Sequence, residues 1–158
     1  MEVFLIGLGR MGIGIGRRLS QRGHKVGGYD RRLENTEKAR QYFLAFEDLS
    51  QIGQFFSARK VVWIMVPHSA VDDVIKGLMP YLFQGDIVID GGNSYYKDTQ
   101  RRWKSLKEIG VHLLDVGVSG GVMGEEVGYC LMVGGEKEAF EFVELRSNGS
   151  RALCQNGP

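Results

Sequence analysis

The sequence holds only two cysteines, Cys130 and Cys154, which form neither a disulfide framework nor a zinc-binding spacing. They read as free thiols of a reducing cytoplasm, the location expected for the chain, and no metal site is expected. Charge of one sign is also missing. A formal net charge of +1 leaves no electrostatic case for nucleic acid or an anionic membrane as partner. No apolar run approaches the length of a membrane span. The first such run, Val3-Phe4-Leu5-Ile6, has no basic segment before it, so no secretory leader is expected. What remains is an ordinary globular composition, 43% apolar and 25% charged. Its 158 residues suit one compact domain and are too few for two comfortable ones.

Glycine, by contrast, is abundant at 23 residues, and it clusters at the ends of apolar runs rather than in a low-complexity tract. Those runs are candidate strands: Val3–Ile6, Lys25–Tyr29, Val61–Val66, Ile87–Ile89 and Val111–Val116. They are near-continuously hydrophobic, as strands of a parallel sheet covered on both faces are. Between them lie helical patterns over Met11–Gln21, Leu33–Tyr42, Ala70–Leu82 and Lys97–Ile109, the last with Trp103, Leu106 and Ile109 as its buried stripe. Strands separated by helices of this length predict βαβ units in an α/β fold. The expected architecture is a Rossmann-type doubly wound, mostly parallel sheet with helices on both faces. A last helix is expected from near Glu136, and the domain spans 1–145. Residues 146–158 read as an irregular tail of a truncated or altered chain.

Gly7-Leu8-Gly9-Arg10-Met11-Gly12 is a G-x-G-x-x-G run. It follows an apolar strand, opens an amphipathic segment, and is joined by Asp30 at the end of the next strand, which is the setting of a dinucleotide-binding turn. Gly7 suits the tight turn, Gly9 lets the backbone approach a pyrophosphate, and Gly12 allows close helix–strand packing. Free N–H groups at the helix start would receive the anion. Gly14 and Gly16 fall inside that helix at a cost of about 1 kcal/mol each relative to alanine, and the sequence offers no reason for them. Asp30 can accept ribose hydroxyls, which favours NAD, whereas Arg31 and Arg32 could hold the 2′-phosphate of NADP or simply open a solvated helix. NAD is modestly favoured.

Two further loops emerge where a doubly wound sheet places its ligand crevice. One is Asp90-Gly91-Gly92-Asn93-Ser94-Tyr95-Tyr96-Lys97-Asp98-Thr99-Gln100-Arg101-Arg102, and the other is Asp115-Val116-Gly117-Val118-Ser119-Gly120-Gly121-Val122-Met123-Gly124. Asn93 and Ser94 could also be a helix N-cap, and Ser119-Gly120-Gly121 a plain turn. His68 suits either a loop or a cofactor contact. Arg101 and Arg102 read as solvated on a polar helix, Trp63 as core, and Cys130 lacks the surroundings of a nucleophile.

At these runs, together with Gly128-Tyr129-Cys130-Leu131-Met132-Val133-Gly134-Gly135, the chain resembles decarboxylating 6-phosphogluconate dehydrogenases of the shorter, bacterial-type branch. The resemblance covers about residues 1–145, the coenzyme domain. It implies that Gly7, Leu8, Gly9, Arg10, Met11 and Gly12 bind the pyrophosphate and that Asp30, Arg31 and Arg32 surround the adenosine ribose. Val66, Pro67 and His68 would line the cofactor, and Asn93 would touch nicotinamide and substrate. Ser119, Gly120 and Gly121 would hold the sugar acid, 6-phosphogluconate. The lysine base and glutamate acid of that family lie beyond this domain, and the G-A-G-H-F-V-K-M-V-H-N run that carries the lysine is absent from the 158 residues. Homodimers are implied only for a full-length form. The alternatives are a 3-hydroxyacid (3-hydroxyisobutyrate-like) dehydrogenase and a non-catalytic NAD(P)-binding module.

Overall fold

The computed structural model describes residues 1–121 and 123–146. Their order is β1 (Glu2–Ile6), α1 (Arg10–Gln21), β2 (Lys25–Tyr29), α2 (Leu33–Ala39), β3 (Leu44–Phe46), α3 (Ile52–Phe55) and β4 (Val61–Ile64). Then follow α4 (Val71–Leu78), β5 (Ile87–Asp90), α5 (Tyr96–Glu108), β6 (His112–Ser119), α6 (Gly124–Val127), β7 (Cys130–Gly135) and α7 (Lys137–Arg146). The strands make one seven-stranded sheet in the order β3-β2-β1-β4-β5-β6-β7. Every pairing is parallel except β6 with β7, which is antiparallel. After β3 the chain crosses back to the other side of β1, so the strand order reverses between β1 and β4. That reversal opens a crevice at the carboxyl edge of the sheet.

Alternation along β1 shows how both faces are filled. Val3 and Leu5 pack with Val26, Trp63, Ile89, Leu114, Ile15 of α1 and Ala139 of α7. Phe4 and Ile6 point the other way, onto Val62, Ile64 and Val88 and onto Ile75, Leu78 and Leu106 of α4 and α5. Each such side chain, fully buried, contributes roughly 1.5–3 kcal/mol.

Several elements depart from expectation. The second helix ends at Ala39 rather than Tyr42, and the fourth helical segment stops at Leu78 before a single tighter turn over Met79–Tyr81 that carries Pro80. β6 runs on to Ser119 because β7 pairs with it from Leu114 to Ser119. The short β3 and α3 carry too few residues to show a period, and β7 was readable only as a family stretch. On α5 the buried positions are Arg102 and Leu106, while Ile109 is exposed at the helix end. Trp63 is core, as expected. The tail expected over 146–158 lies outside the described residues from 147 onward.

Gly14 and Gly16 acquire a reason. A Cβ on Gly14 would sit 2.2 Å from the Tyr129 hydroxyl, and one on Gly16 would sit 2.4 Å from the Phe43 ring. At these two positions helix α1 lies too close to its neighbours for any larger residue.

Candidate dinucleotide site

The carboxyl ends of β2, β1, β4, β5 and β6 share one edge of the sheet, so every residue expected to touch cofactor or substrate emerges there. At the end of β1, Gly7 adopts φ +96° and its N–H donates to the Tyr29 carbonyl at 2.9 Å. A Cβ there would also strike the Met65 carbonyl oxygen at 2.6 Å. Gly12 is required by packing, since its Cβ would stand 2.0 Å from the Gly7 carbonyl oxygen.

Gly9 is different. It is the N-cap of α1 with φ −71° and ψ −174°, extended backbone open to any residue, and a Cβ there meets nothing within 4 Å. The fold does not need glycine at this position; a ligand brought against the backbone would. Helix α1 has no side-chain cap and no acidic residue in its first turn. Its first N–H groups therefore have no intrahelical acceptor and face no competing carboxylate, which suits a pyrophosphate.

Leu8 contributes differently from Gly9, Arg10 and Met11. Its side chain is fully buried and its N–H donates to Asp30 Oδ2 at 2.7 Å, so that N–H is turned toward β2 rather than toward the helix start. Asp30 also accepts from the Arg32 N–H at 2.8 Å and the Asn35 amide at 3.1 Å. The carboxylate thereby stitches the end of β2 to the phosphate turn and keeps one acceptor position for a ribose hydroxyl. Arg31 and Arg32 are both exposed, Arg32 with its guanidinium 3.9 Å from Asp30. Among the described residues Arg31 makes no ion pair, so its charge is available to a phosphate.

Past β4, Val66, Pro67 and His68 follow at the same sheet edge, Val66 half-buried and the other two exposed. Past β5 comes the Asp90–Ser94 turn. A Cβ on Gly91 would lie 2.5 Å from Met65 Sδ, and one on Gly92 would lie 2.8 Å from the Val66 carbonyl oxygen. The paired glycines thus let this turn press against the end of β4, and the next residue, Asn93, stands exposed at φ +52°. At the end of β6, Ser119, Gly120 and Gly121 are exposed, the two glycines at φ +139° and +49°. Gly124 donates its N–H back to the Gly120 carbonyl at 2.9 Å, closing that loop.

One expectation is overturned. Arg101 is exposed, but Arg102 is buried at 4% and is not solvated. It donates to Asp90 at 3.0 Å, Ser94 Oγ at 2.6 Å, Asp72 at 2.8 Å and, more distantly, the His68 carbonyl at 3.4 Å. Asp90, fully buried, also accepts from the Gly92 N–H and the Ser94 hydroxyl. The readable signal was an Asp two residues before a glycine, the spacing of an Asx turn. Hydrogen bonds from Arg102 and then Arg101 hold the Asp72 carboxyl down to about 2. A depressed carboxyl adds stability that is complete above its ordinary pKa near 4 and is lost as pH falls through the folded value. Asp72 is half-exposed, so the effect is about 1 kcal/mol or less. Urea unfolding at pH 5, 4 and 3 should show Asp72→Asn losing less stability over that window than the parent.

A doubly wound sheet whose switch-point turn presents an unobstructed glycine and an uncapped helix start defines a dinucleotide-binding domain. A family model described as the NAD binding domain of 6-phosphogluconate dehydrogenase matches residues 2–146, and the chain belongs to that family. The Bacillus subtilis protein YqeC is 43% identical over 147 residues, 91% of this chain and 49% of YqeC. The NADP-dependent and NAD-dependent decarboxylating 6-phosphogluconate dehydrogenases of the same organism are 38% and 36% identical, over 90% and 89% of this chain and 32% and 31% of their own lengths. The solved Plasmodium falciparum 6-phosphogluconate dehydrogenase, described with NADP+ and with 6-phosphogluconate, superposes with a TM-score of 0.88 at 31% identity. That match covers 99% of this chain and 35% of that one. A Mycobacterium tuberculosis 3-hydroxyisobutyrate dehydrogenase, 21% identical with a TM-score of 0.83 over 97% of this chain and 53% of its own, shares the fold. The chain spans between about a third and a half of the length of the curated relatives it matches.

Proposed function

We propose that this chain is the coenzyme-binding part of an enzyme that converts 6-phosphogluconate to ribulose 5-phosphate and CO2. The observation that carries the reading is the gathering of three loops on one sheet edge: the Gly7–Gly12 turn, the Gly91–Ser94 turn and the Ser119–Gly121 loop. The first borders the switch point, and the other two follow β5 and β6, two and three strands along the sheet from β1. Gly9 and the start of α1 receive the pyrophosphate, Asp30 and Arg31 the adenosine ribose, and Val66, Pro67 and His68 line the bound dinucleotide. NAD(P)+ supplies a hydride acceptor when bound. Asn93 orients the nicotinamide and the substrate against each other, and Ser119 with the N–H groups of Gly120 and Gly121 holds the sugar acid. Oxidation at C3, loss of CO2 and protonation of the enediol complete the reaction.

Proton transfer needs groups that these residues do not supply. A missing general acid or base commonly costs about 10²- to 10⁴-fold. The purified 158-residue chain should therefore bind cofactor without useful turnover of 6-phosphogluconate. Joining residues 1–146 to the remainder of the Bacillus subtilis NADP-dependent relative should restore 6-phosphogluconate-dependent NAD(P)H formation and CO2 release. A chimera that oxidises 3-hydroxyisobutyrate instead would contradict the reading.

Within that reading, NAD binds more tightly than NADP by roughly tenfold or less, because exposed charge interactions are each worth about 1 kcal/mol or less. A 2′-phosphate meets the Asp30 carboxylate, and Arg31 offsets that repulsion. Asp30→Asn should shift preference toward NADP, but it also weakens the Leu8 and Arg32 hydrogen bonds. Arg31→Ala, free of that complication, should shift preference toward NAD. Titration of both cofactors against the two variants decides it, and an unchanged ratio in both would refute the ribose assignment.

A further inference from the structure

We infer that Arg102 is a positioning residue for the nicotinamide half of the cofactor, acting through Asn93 and the loop after β4. The inference rests on the reading of Asn93 as a nicotinamide contact.

Asn93 is the one non-glycine residue at positive φ among the described residues. Asparagine adopts this conformation more readily than other side-chain-bearing residues, and it is held here by what flanks it. The surroundings here are specific. Asp90 Oδ1 accepts the Gly92 N–H at 3.0 Å, and its Oδ2 accepts the Ser94 hydroxyl at 2.8 Å, so both neighbours of Asn93 are tied to one carboxylate. Arg102 Nη1 then donates to that Oδ2 and to Ser94 Oγ, fixing the carboxylate and the hydroxyl together.

The same guanidinium reaches beyond this turn. Nη2 points to the His68 carbonyl and Nε donates to Asp72 on α4. One planar group therefore spans the loops that follow β4 and β5, which are paired neighbours in the sheet. Those loops carry His68 and Asn93, both exposed at the carboxyl edge of the sheet. A buried ion pair adds little net stability compared with apolar packing of the same volume, whereas its geometry is strictly defined. Arg102 at 4% and Asp90 at 0% exposure form such a pair. Lysine would keep the charge but could not make the fork that holds Asp90, Ser94, Asp72 and His68 at once.

The test separates the two halves of the cofactor. Calorimetric affinities for NADH and for ADP, which lacks the nicotinamide, are measured with the parent, Arg102→Lys, Ser94→Ala and Asn93→Ala, together with near-ultraviolet circular dichroism of each. NADH fluorescence reports the nicotinamide environment directly. Arg102→Lys and Ser94→Ala should each lower NADH affinity by about tenfold, shift the bound fluorescence toward that of free NADH, and leave ADP affinity within about twofold. Asn93→Ala should behave in the same way. If Asn93→Ala weakens NADH while the other two variants bind it normally, the positioning role is refuted and the Asn93 contact stands. If Asn93→Ala itself binds NADH normally, the contact is wrong and the positioning role falls with it. Equal losses for NADH and ADP would mark general damage and also overturn the inference. Should Arg102→Lys fail to fold, Ser94→Ala, which removes one hydroxyl and no charge, decides between these results.

Discussion

Gly9→Val should abolish dinucleotide binding while leaving the domain folded. The position is extended backbone with open space where a side chain would grow, so valine fits without strain in the protein. The same open space is where a pyrophosphate must lie to reach the N–H groups at the start of α1. A branched side chain there keeps the phosphates from closing on the backbone, and the loss should be at least about a hundredfold in affinity, or roughly 2.7 kcal/mol. Melting temperature should fall by no more than about 4 °C, because valine is a poorer N-cap than glycine by about 1 kcal/mol and nothing else is disturbed. Calorimetry with NADH and a thermal melt on the same sample check both halves. Full affinity in Gly9→Val would show that the turn is only structural.

Gly12→Ala should have the opposite signature, losing stability first. Its Cβ would stand 2.0 Å from the Gly7 carbonyl oxygen, a backbone atom with nowhere to retreat because Gly7 is itself pinned against Met65. Alanine is worth about 1 kcal/mol over glycine in a helix. The clash outweighs that gain. Overpacking at a rigid contact costs about 3 kcal/mol, so the net loss is about 2 kcal/mol, which in a domain of this size lowers the melting temperature by roughly 6 °C. Gly53 supplies the control: it lies in α3 with nothing within 4 Å of its Cβ, so Gly53→Ala should be neutral or slightly stabilising. Equal melting temperatures for Gly12→Ala and the parent would contradict the packing account.

The phosphate turn was legible because its demands fall on residue type within a few positions: a positive φ at Gly7, a close approach at Gly12, an acid at the next strand end. Asn93 was singled out by the family run it sits in, and the two glycines before it have a local demand of their own, the close approach to the end of β4. Gly14 and Gly16 were not, because what excludes a side chain there is Tyr129 and Phe43, remote in sequence. Arg102 was misread for the same cause. Its partners sit on α4, on the loop after β4 and at the end of β5, and beside Arg101 on a polar helix it looks like any solvated cation. Strand β3 escaped notice because three partly exposed residues at a sheet edge carry no period. In β7, Cys130 and Met132 are exposed and Leu131 is buried, an alternation too short to stand apart from the glycines around it.

Binding itself is the central claim, and isothermal titration of the folded parent chain with NADH and NADPH tests it most directly. The account predicts one saturable site for each, the NADH site tighter by about tenfold or less and both weakened by salt. A parent chain that melts cooperatively yet takes up neither cofactor would contradict it.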